Sequence, residues 1–223
     1  MSRLVASALG AAGSWLLEPP ERAGAEITAE ARRRAVVAVF GLTRGCGATV
    51  VARALAAELG ARDAGGAAAV ACEAPTTGVA LATPAAGRLA RALADVPGAS
   101  TRALGRLCLV GGADPWALAD CARHHAPLVV DAGSEALGGS PAALADASVL
   151  VVSSASEPAL AAVAAECIAR VGPDPLVVLN GGRGAEHAAV SLPRSRMGAQ
   201  LALGGREPRG ELGRAVGRLA DLV

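Results

Sequence analysis

The sequence contains no lysine, so all 21 of its basic residues are arginines. Side-chain amides are almost as scarce, because Asn180 and Gln200 are the only asparagine and glutamine among the 223 residues. A phosphate site built around a lysine ammonium group is therefore excluded. The bias also means that the choice of arginine over lysine at any one position carries no information about function.

Aromatic residues make up only 1% of the chain, and tyrosine is absent. The formal net charge is +1 and the isoelectric point is about 7.7. Proteins that bind nucleic acid combine a basic surface with aromatic rings on which bases stack. This composition provides neither feature, so we do not expect nucleic acid as a partner.

Long apolar runs are also missing, although the mean hydropathy of +0.42 is high. No uncharged apolar run reaches the 18 or more residues that a membrane-spanning helix needs. The five cysteines are widely spaced and match no pattern typical of a disulfide framework or a zinc site. These features favour a protein of the reducing cytoplasm, whose hydropathy comes from Ala and Val in a buried sheet.

The first 27 residues are predicted to form a helix, at 2–17, and a Pro-containing linker, and residues 28–223 are predicted to form one domain. The helix is mostly apolar and carries Trp15. It is a candidate for docking to a partner protein or for lying on the inner face of a membrane. Its alternative is intramolecular packing or no stable structure.

Within residues 28–223, short apolar runs alternate with helical patterns. Strands are predicted at 35–40, 67–72, 107–110, 127–130, 148–152 and 175–179, with a shorter segment at 189–192. Helices are predicted at 49–59, 88–94, 115–124, 158–171 and 209–223, the last packed on the sheet rather than on a membrane. This alternation predicts an α/β fold, a doubly wound, mainly parallel sheet with helices on both faces.

A glycine-rich loop joins the first predicted strand to the first helix of this domain. It reads Gly41-Leu42-Thr43-Arg44-Gly45-Cys46-Gly47-Ala48-Thr49. Glycines let backbone N–H groups turn toward an anion, the helix N-terminus adds its dipole, and the Thr49 hydroxyl can hold magnesium. The standard P-loop motif is not matched, because it requires lysine at Ala48 and glycine at Leu42. A tight turn without a ligand is the alternative interpretation.

Two polar residues follow buried strands further along the chain. Asp131 ends the strand at 127–130, where phosphate-binding ATPases hold an acid near their metal, and its alternative role is to cap the following turn. Asn180 ends the strand at 175–179, where its amide can read a base edge or simply initiate a turn. Ligands bind beyond the carboxyl ends of parallel strands, so we expect both residues to gather at one edge with Gly41 and Glu73.

In order and approximate spacing, the loop, Asp131 and Asn180 resemble the deviant Walker, ParA/MinD-type branch of P-loop ATPases, over about residues 35–223. The loop of that family reads Lys-Gly-Gly-X-Gly-Lys-Thr-Thr. In an ungapped alignment Thr43 takes the place of the family's signature lysine. With alanine in place of the Walker lysine, the loop is similar to those of TadZ/CpaE-type proteins of pilus assembly and secretion.

The resemblance implies a set of site residues. Asn180 would recognise the base, Thr49 and Asp131 would hold Mg²⁺, and Glu73 is a candidate for the family's second acidic motif. The nucleotide phosphates would be bound by Arg44, Gly45, Cys46, Gly47, Ala48 and Thr49.

The missing lysine decides what this site can do. Loss of one charge-assisted hydrogen bond weakens phosphate binding by about ten- to a hundredfold, whereas a cation that stabilises phosphoryl transfer contributes about 10³–10⁵ in rate. The resemblance therefore implies a degenerate protein that binds ATP and Mg²⁺ weakly, hydrolyses little or no ATP, and acts as a homodimer that positions or assembles protein partners. The resemblance implies that it acts in a pilus or secretion system, or in cell division or partition. The alternatives are a scaffold of the same fold without nucleotide, and an active ATPase in which Arg44 replaces the lysine.

Overall fold

A computed structural model describes residues 35–71, 83–84, 87–134, 143–155, 175–182 and 188–223. The strands of this part of the chain are β1 Val36–Gly41, β2 Ala68–Ala71, β3 Thr83–Pro84, β4 Ser100–Leu104, β5 Leu107–Gly111, β6 Leu128–Gly133, β7 Ala147–Ser153, β8 Leu176–Asn180 and β9 Val190–Leu192. The helices are α1 Ala48–Arg62, α2 Arg88–Ala94, α3 Pro115–His125, α4 Arg196–Leu203 and α5 Gly210–Ala220.

The strands of the described residues form one sheet in the order β3-β4-β5-β2-β6-β1-β7-β8-β9. From β5 to β9 every neighbouring pair is parallel, while β4 pairs antiparallel with both β3 and β5. Short Val-, Ala- and Leu-rich runs suit the parallel part, because such strands are buried on both faces. The predicted mainly parallel α/β sheet is confirmed.

Helices cover both faces of this sheet, also as predicted. Val37 and Val39 of β1 belong to a core shared with α1, α4 and α5, whereas Val36 belongs to a separate core that includes α2 and α3. Successive residues of a strand point to opposite faces, so one apolar strand serves both cores. The predicted closing helix packs on the first core, through Leu212 and neighbouring apolar residues of α5.

Helix α1 lies between the sheet and the two last helices. Its buried residues are Ala48, Val51, Ala52, Arg53, Ala54, Leu55, Ala56, Ala57 and Gly60. Small alanine side chains let neighbouring elements approach the helix closely on several sides. The helix that follows the glycine loop is therefore fixed by packing along most of its length.

The structure differs from the sequence-based prediction in several elements. Strands β3 and β4 and helix α4 were not predicted, and β6 continues three residues beyond its predicted end, to Gly133. Strand β4 alternates exposed and partly buried residues, a pattern typical of an antiparallel strand with one exposed face, whereas the prediction relied on continuous apolar runs.

Several predictions fall on residues outside the described ones: the N-terminal helix and linker of residues 1–27, the helix at 158–171, and Glu73. They stay predictions. Among the described residues, no helix is long and apolar enough to cross a membrane.

Candidate functional site

The glycine-rich loop follows β1 at the carboxyl edge of the sheet, and α1 begins directly after it. Gly45 and Gly47 have φ angles of 80° and 95°, in the left-handed region that glycine adopts most readily. Gly47 is the N-cap of α1, and no side chain caps this helix end. Backbone N–H groups of the first turn are thus left for another acceptor, and the helix dipole favours an anion there. The loop has the geometry of an anion-binding cradle.

The small side chains of Cys46 and Ala48 pack against Gly41 at the start of the loop. Cys46 is buried, and a Cβ added at Gly41 would lie 2.8 Å from Cys46 Sγ and 3.2 Å from Ala48 Cβ. The thiol and the methyl group therefore pack against Gly41, where a larger residue would displace them. Ala48 can contribute to anion binding only through its backbone N–H group, because its side chain supplies no positive charge. Cys46 was predicted to bind phosphate in the same way, but its N–H donates to the Thr43 carbonyl oxygen at 3.1 Å.

Asn180, the last residue of β8, reaches the loop from the side. Its Nδ2 donates a hydrogen bond of 2.8 Å to the carbonyl oxygen of Cys46. A Cβ added at Gly47 would overlap Nδ2, so the amide lies directly over that glycine. Within the described part of the chain this is the amide's one hydrogen bond, which leaves Oδ1 as an acceptor and one N–H as a donor.

Asp131 lies on β6, beside Val39 of β1, two residues before the end of that strand at Gly41. The pairing of β1 and β6 is interrupted between Val39 and Phe40, and Gly133 at the bulge has a φ of 63°. Asp131 Oδ1 accepts a weak hydrogen bond of 3.4 Å from the Gly133 backbone N–H. The turn-capping role is therefore present, and it occupies only one of the two carboxylate oxygens.

Thr49 lies in the first turn of α1 and is half-buried, whereas Arg44 is exposed on the outer part of the loop. No hydrogen bond joins Thr49 to Asp131. Among the described residues, no group of three or more His, Cys, Asp or Glu side chains could hold a metal ion. The oxygen donors present suit Mg²⁺, which is usually bound by one or two protein ligands together with phosphate and water.

Sequence reasoning did not identify the residues that surround the end of β8. Ser154 donates from its backbone N–H to Asn180 O at 3.0 Å and from Oγ to Gly181 O at 2.9 Å. Gly181 N–H donates to Leu192 O at 2.8 Å, and the side chain of Arg194 lies against Gly181. Only the order of the strands brings these residues together, and no local motif marks them.

Comparisons with known proteins bear on the fold. No protein-family model matches the chain, and a search of curated proteins found no match. A solved structure described as a ParA family ATPase from Chlorobium tepidum TLS aligns over 85% of this chain and 100% of that chain, at 12% identity and a TM-score of 0.59. The chain therefore has the α/β fold of a ParA-type P-loop ATPase.

Proposed function

We propose that this chain binds ATP with Mg²⁺ at residues 41–49, as a degenerate ParA/MinD-like protein that hydrolyses little or no ATP. The observation that carries the proposal is the loop itself, with left-handed Gly45 and Gly47 before a helix end that no side chain caps. Polyphosphates suit such a cradle because it offers the uncapped N–H donors of a helix N-terminus and the helix dipole.

Each predicted site residue has a role in this proposal. The phosphates accept hydrogen bonds from the backbone N–H groups of residue 45 and residues 47–49, since the N–H of Cys46 already donates to the Thr43 carbonyl oxygen. The exposed guanidinium of Arg44 supplies the positive charge. The Thr49 hydroxyl and the free oxygen of Asp131 hold Mg²⁺, which shields the phosphate charges when bound. Glu73 remains a candidate for a further acidic contact.

The tether of Asn180 to the loop favours adenine over guanine. Because one N–H of the amide is given to Cys46 O, one donor and one acceptor remain. Adenine presents an amino donor beside a ring-nitrogen acceptor, so both remaining groups can be used. Guanine presents two acceptors at the corresponding edge, and the tethered amide has a single N–H to offer them.

Slow hydrolysis follows from the chemistry of position 48. The Ala48 side chain is buried and packs toward Gly41, so no cation reaches the phosphates from the start of α1. Backbone binding survives such a loss, with affinity lowered about ten- to a hundredfold, but stabilisation of phosphoryl transfer does not. The proposed role is therefore that of a nucleotide-controlled positioning or assembly factor.

Calorimetric titration of the full chain with ATP and Mg²⁺ tests the proposal. We expect ATP to bind with a Kd in the micromolar to millimolar range and GTP to bind more weakly. Thr49→Ala should lower the affinity for ATP, whereas Thr49→Ser, which keeps the hydroxyl, should not. Equal heats for the unmodified chain and Thr49→Ala would contradict the proposed Mg²⁺ contact. No binding at millimolar ATP, with partner binding retained after substitution of Gly45, Thr49 and Asp131, would instead support the scaffold alternative.

Phosphate release distinguishes the third alternative. We expect the chain to release phosphate at the rate of its Thr49→Ala variant. Turnover well above that control, lost in Arg44→Ala, would show that Arg44 replaces the lysine and would overturn the proposal of slow hydrolysis. The assay requires protein purified away from contaminating ATPases, for which the Thr49→Ala preparation serves as the control.

The proposed partners are a second copy of the chain and the proteins of an assembly or partition complex. Trp116 and Met197 are 60% and 67% exposed, and they follow the carboxyl ends of β5 and β9, at the sheet edge that carries the loop. The two strands lie on opposite sides of β1 in the sheet, so each side chain is a separate candidate contact rather than part of one apolar patch. Sedimentation with and without ATP tests dimer formation, and a monomer in both conditions contradicts it. Membrane association through residues 2–17 remains a prediction.

A further inference from the structure

The ends of β7, β8 and β9 are joined by hydrogen bonds into a fixed turn around Gly181. Ser154 bonds to the carbonyl oxygens of Asn180 and Gly181, and Gly181 N–H bonds to Leu192 O. Gly181 itself has a φ of 82°, in the left-handed region. Backbone groups from three neighbouring strands thus hold the residue that follows Asn180 in one position.

Arg194 covers this turn. A Cβ added at Gly181 would lie 3.1 Å from both Cγ and Nε of Arg194, so the arginine side chain runs along the glycine rather than away from it. Arg194 is exposed, and it makes no hydrogen bond or ion pair with the described residues. The fixed turn therefore carries a planar cation whose donors and faces are accessible.

Arg194 lies apart from the glycine loop, where the phosphates are proposed to bind. Strand β8 is the second neighbour of β1 in the sheet, and strands are spaced about 4.8 Å apart, so their ends lie about 10 Å apart. The loop follows β1, Asn180 spans the gap between β8 and the loop, and Arg194 lies at the β8 end. A nucleotide whose phosphates lie on the loop and whose base is read by Asn180, as in the proposed function, places that base beside Arg194, which lies against the next residue, Gly181.

We propose that Arg194 stacks its guanidinium plane on the base of the bound nucleotide and so adds affinity for the base, whose identity Asn180 reads. Because this role presupposes the nucleotide of the proposed function, it stands on that proposal. Bases stack on aromatic rings or on arginine planes. The chain has three aromatic residues, and of the two in the described part, Phe40 is fully buried and Trp116 follows β5, on the opposite side of β1 from β8. Arg194 takes the place of an aromatic ring.

The test compares Arg194→Ala and Arg194→Lys with the unmodified chain. Arg196→Ala is the matched control, since Arg196 is also exposed and begins α4 two residues later. Calorimetry is run with Mg²⁺ and three probes: ATP, ADP and inorganic triphosphate. We expect Arg194→Ala to lower the affinities for ATP and ADP by the same factor, about 5- to 100-fold. The affinity for inorganic triphosphate should not change. Arg194→Lys should restore little of the lost affinity for ATP and ADP, because an ammonium group has no plane to stack. Arg196→Ala should bind all three probes as the unmodified chain does.

Unchanged ATP affinity in Arg194→Ala overturns the stacking role. So does a loss that includes inorganic triphosphate and is restored by lysine, because that result identifies a phosphate contact. An unmodified chain that binds triphosphate as tightly as ATP also overturns this inference, while it leaves the phosphate loop intact. Failure of the unmodified chain to bind either probe overturns the proposed function and this role together. Thermal melting of each variant confirms that it is folded.

Discussion

The amide of Asn180 lies directly over the α-carbon of Gly47, and the same amide is hydrogen-bonded to the carbonyl oxygen of Cys46 at 2.8 Å. Cys46 and Asn180 are 134 residues apart in the chain. The conformation of the glycine loop therefore depends on a side chain from the far end of β8 as well as on its own glycines. Loop geometry and fold stability should respond together to changes at either position.

Replacement of Gly47 by alanine should destabilise the fold by about 2 kcal/mol or more. Left-handed backbone costs a residue with a Cβ roughly 1–2 kcal/mol, and overlap with Asn180 adds a packing cost. Gly66→Ala is the control, because Gly66 has a φ of 66° but open space around a Cβ. We expect it to cost about 1 kcal/mol, from the backbone alone. Urea denaturation measures both, and equal losses would show that Asn180 does not constrain position 47.

Asn180→Asp should cost about 1–3 kcal/mol of stability, because it replaces the donor with a carboxylate that faces the Cys46 carbonyl oxygen. Gln200→Glu makes the same chemical change at the chain's other amide, which is exposed, and should be nearly neutral. The free energies of unfolding at pH 7 decide the comparison. A small effect in both variants would mean that the tether contributes nothing to stability.

Arg62 joins the end of α1 to α5, and its contacts should contribute about 1 kcal/mol to the free energy of unfolding. Its guanidinium contacts Glu58 at 2.9 Å, Asp221 at 2.6 Å and the Gly217 carbonyl oxygen at 3.0 Å. The hydrogen bond to Asp221 is the main reason that the pKa of Arg62 is raised. We expect Arg62→Lys to restore less than half of the stability that Arg62→Ala loses. A compact ammonium group lacks the planar fork of donors that reaches all three acceptors at once.

Salt separates the ionic part of the Arg62 contribution from the rest. The loss in Arg62→Ala should shrink in 1 M NaCl, because both ion pairs are partly exposed and are screened. Arg88→Ala, at an exposed arginine of α2 without an ion pair among the described residues, should be neutral at either salt concentration. Equal losses at low and high salt would assign the Arg62 contribution to packing.

Stability should fall as the pH rises from about 9 toward 11, because burial raises the pKa of the Cys108 thiol from 9.0 to about 11. Between these values the unfolded chain releases this proton and the folded chain keeps it, so the contribution of Cys108 is complete below pH 9 and is lost through pH 11. The chain contains no lysine or tyrosine, so cysteines dominate its titration in this window. Melting curves should show a shallower alkaline decline for Cys108→Ala than for the unmodified chain. Identical slopes would contradict the shift.

The sequence was sufficient for the parts of the structure that depend on local pattern. The apolar run of β1, the glycines after it and the start of α1, predicted at Thr49 and observed at Ala48, follow from neighbouring residues. The contacts of Asn180 with the loop and of Arg194 with Gly181 could not be predicted, since they depend on the order of β1, β7, β8 and β9 in the sheet. Strand β4 was missed for a different reason, because an antiparallel strand with one exposed face lacks a continuous apolar run.

The cover that α4 and α5 place over α1 also has a consequence for synthesis. Helix α1 is made early, but two of the elements that bury it are encoded near the end, from Arg196 to Ala220. A growing chain therefore keeps apolar surface of α1 exposed on the ribosome until the last of these residues has emerged. Such surface attracts chaperones and favours aggregation. Yield in cells should depend on how quickly the segment from Arg196 onward is translated and docked.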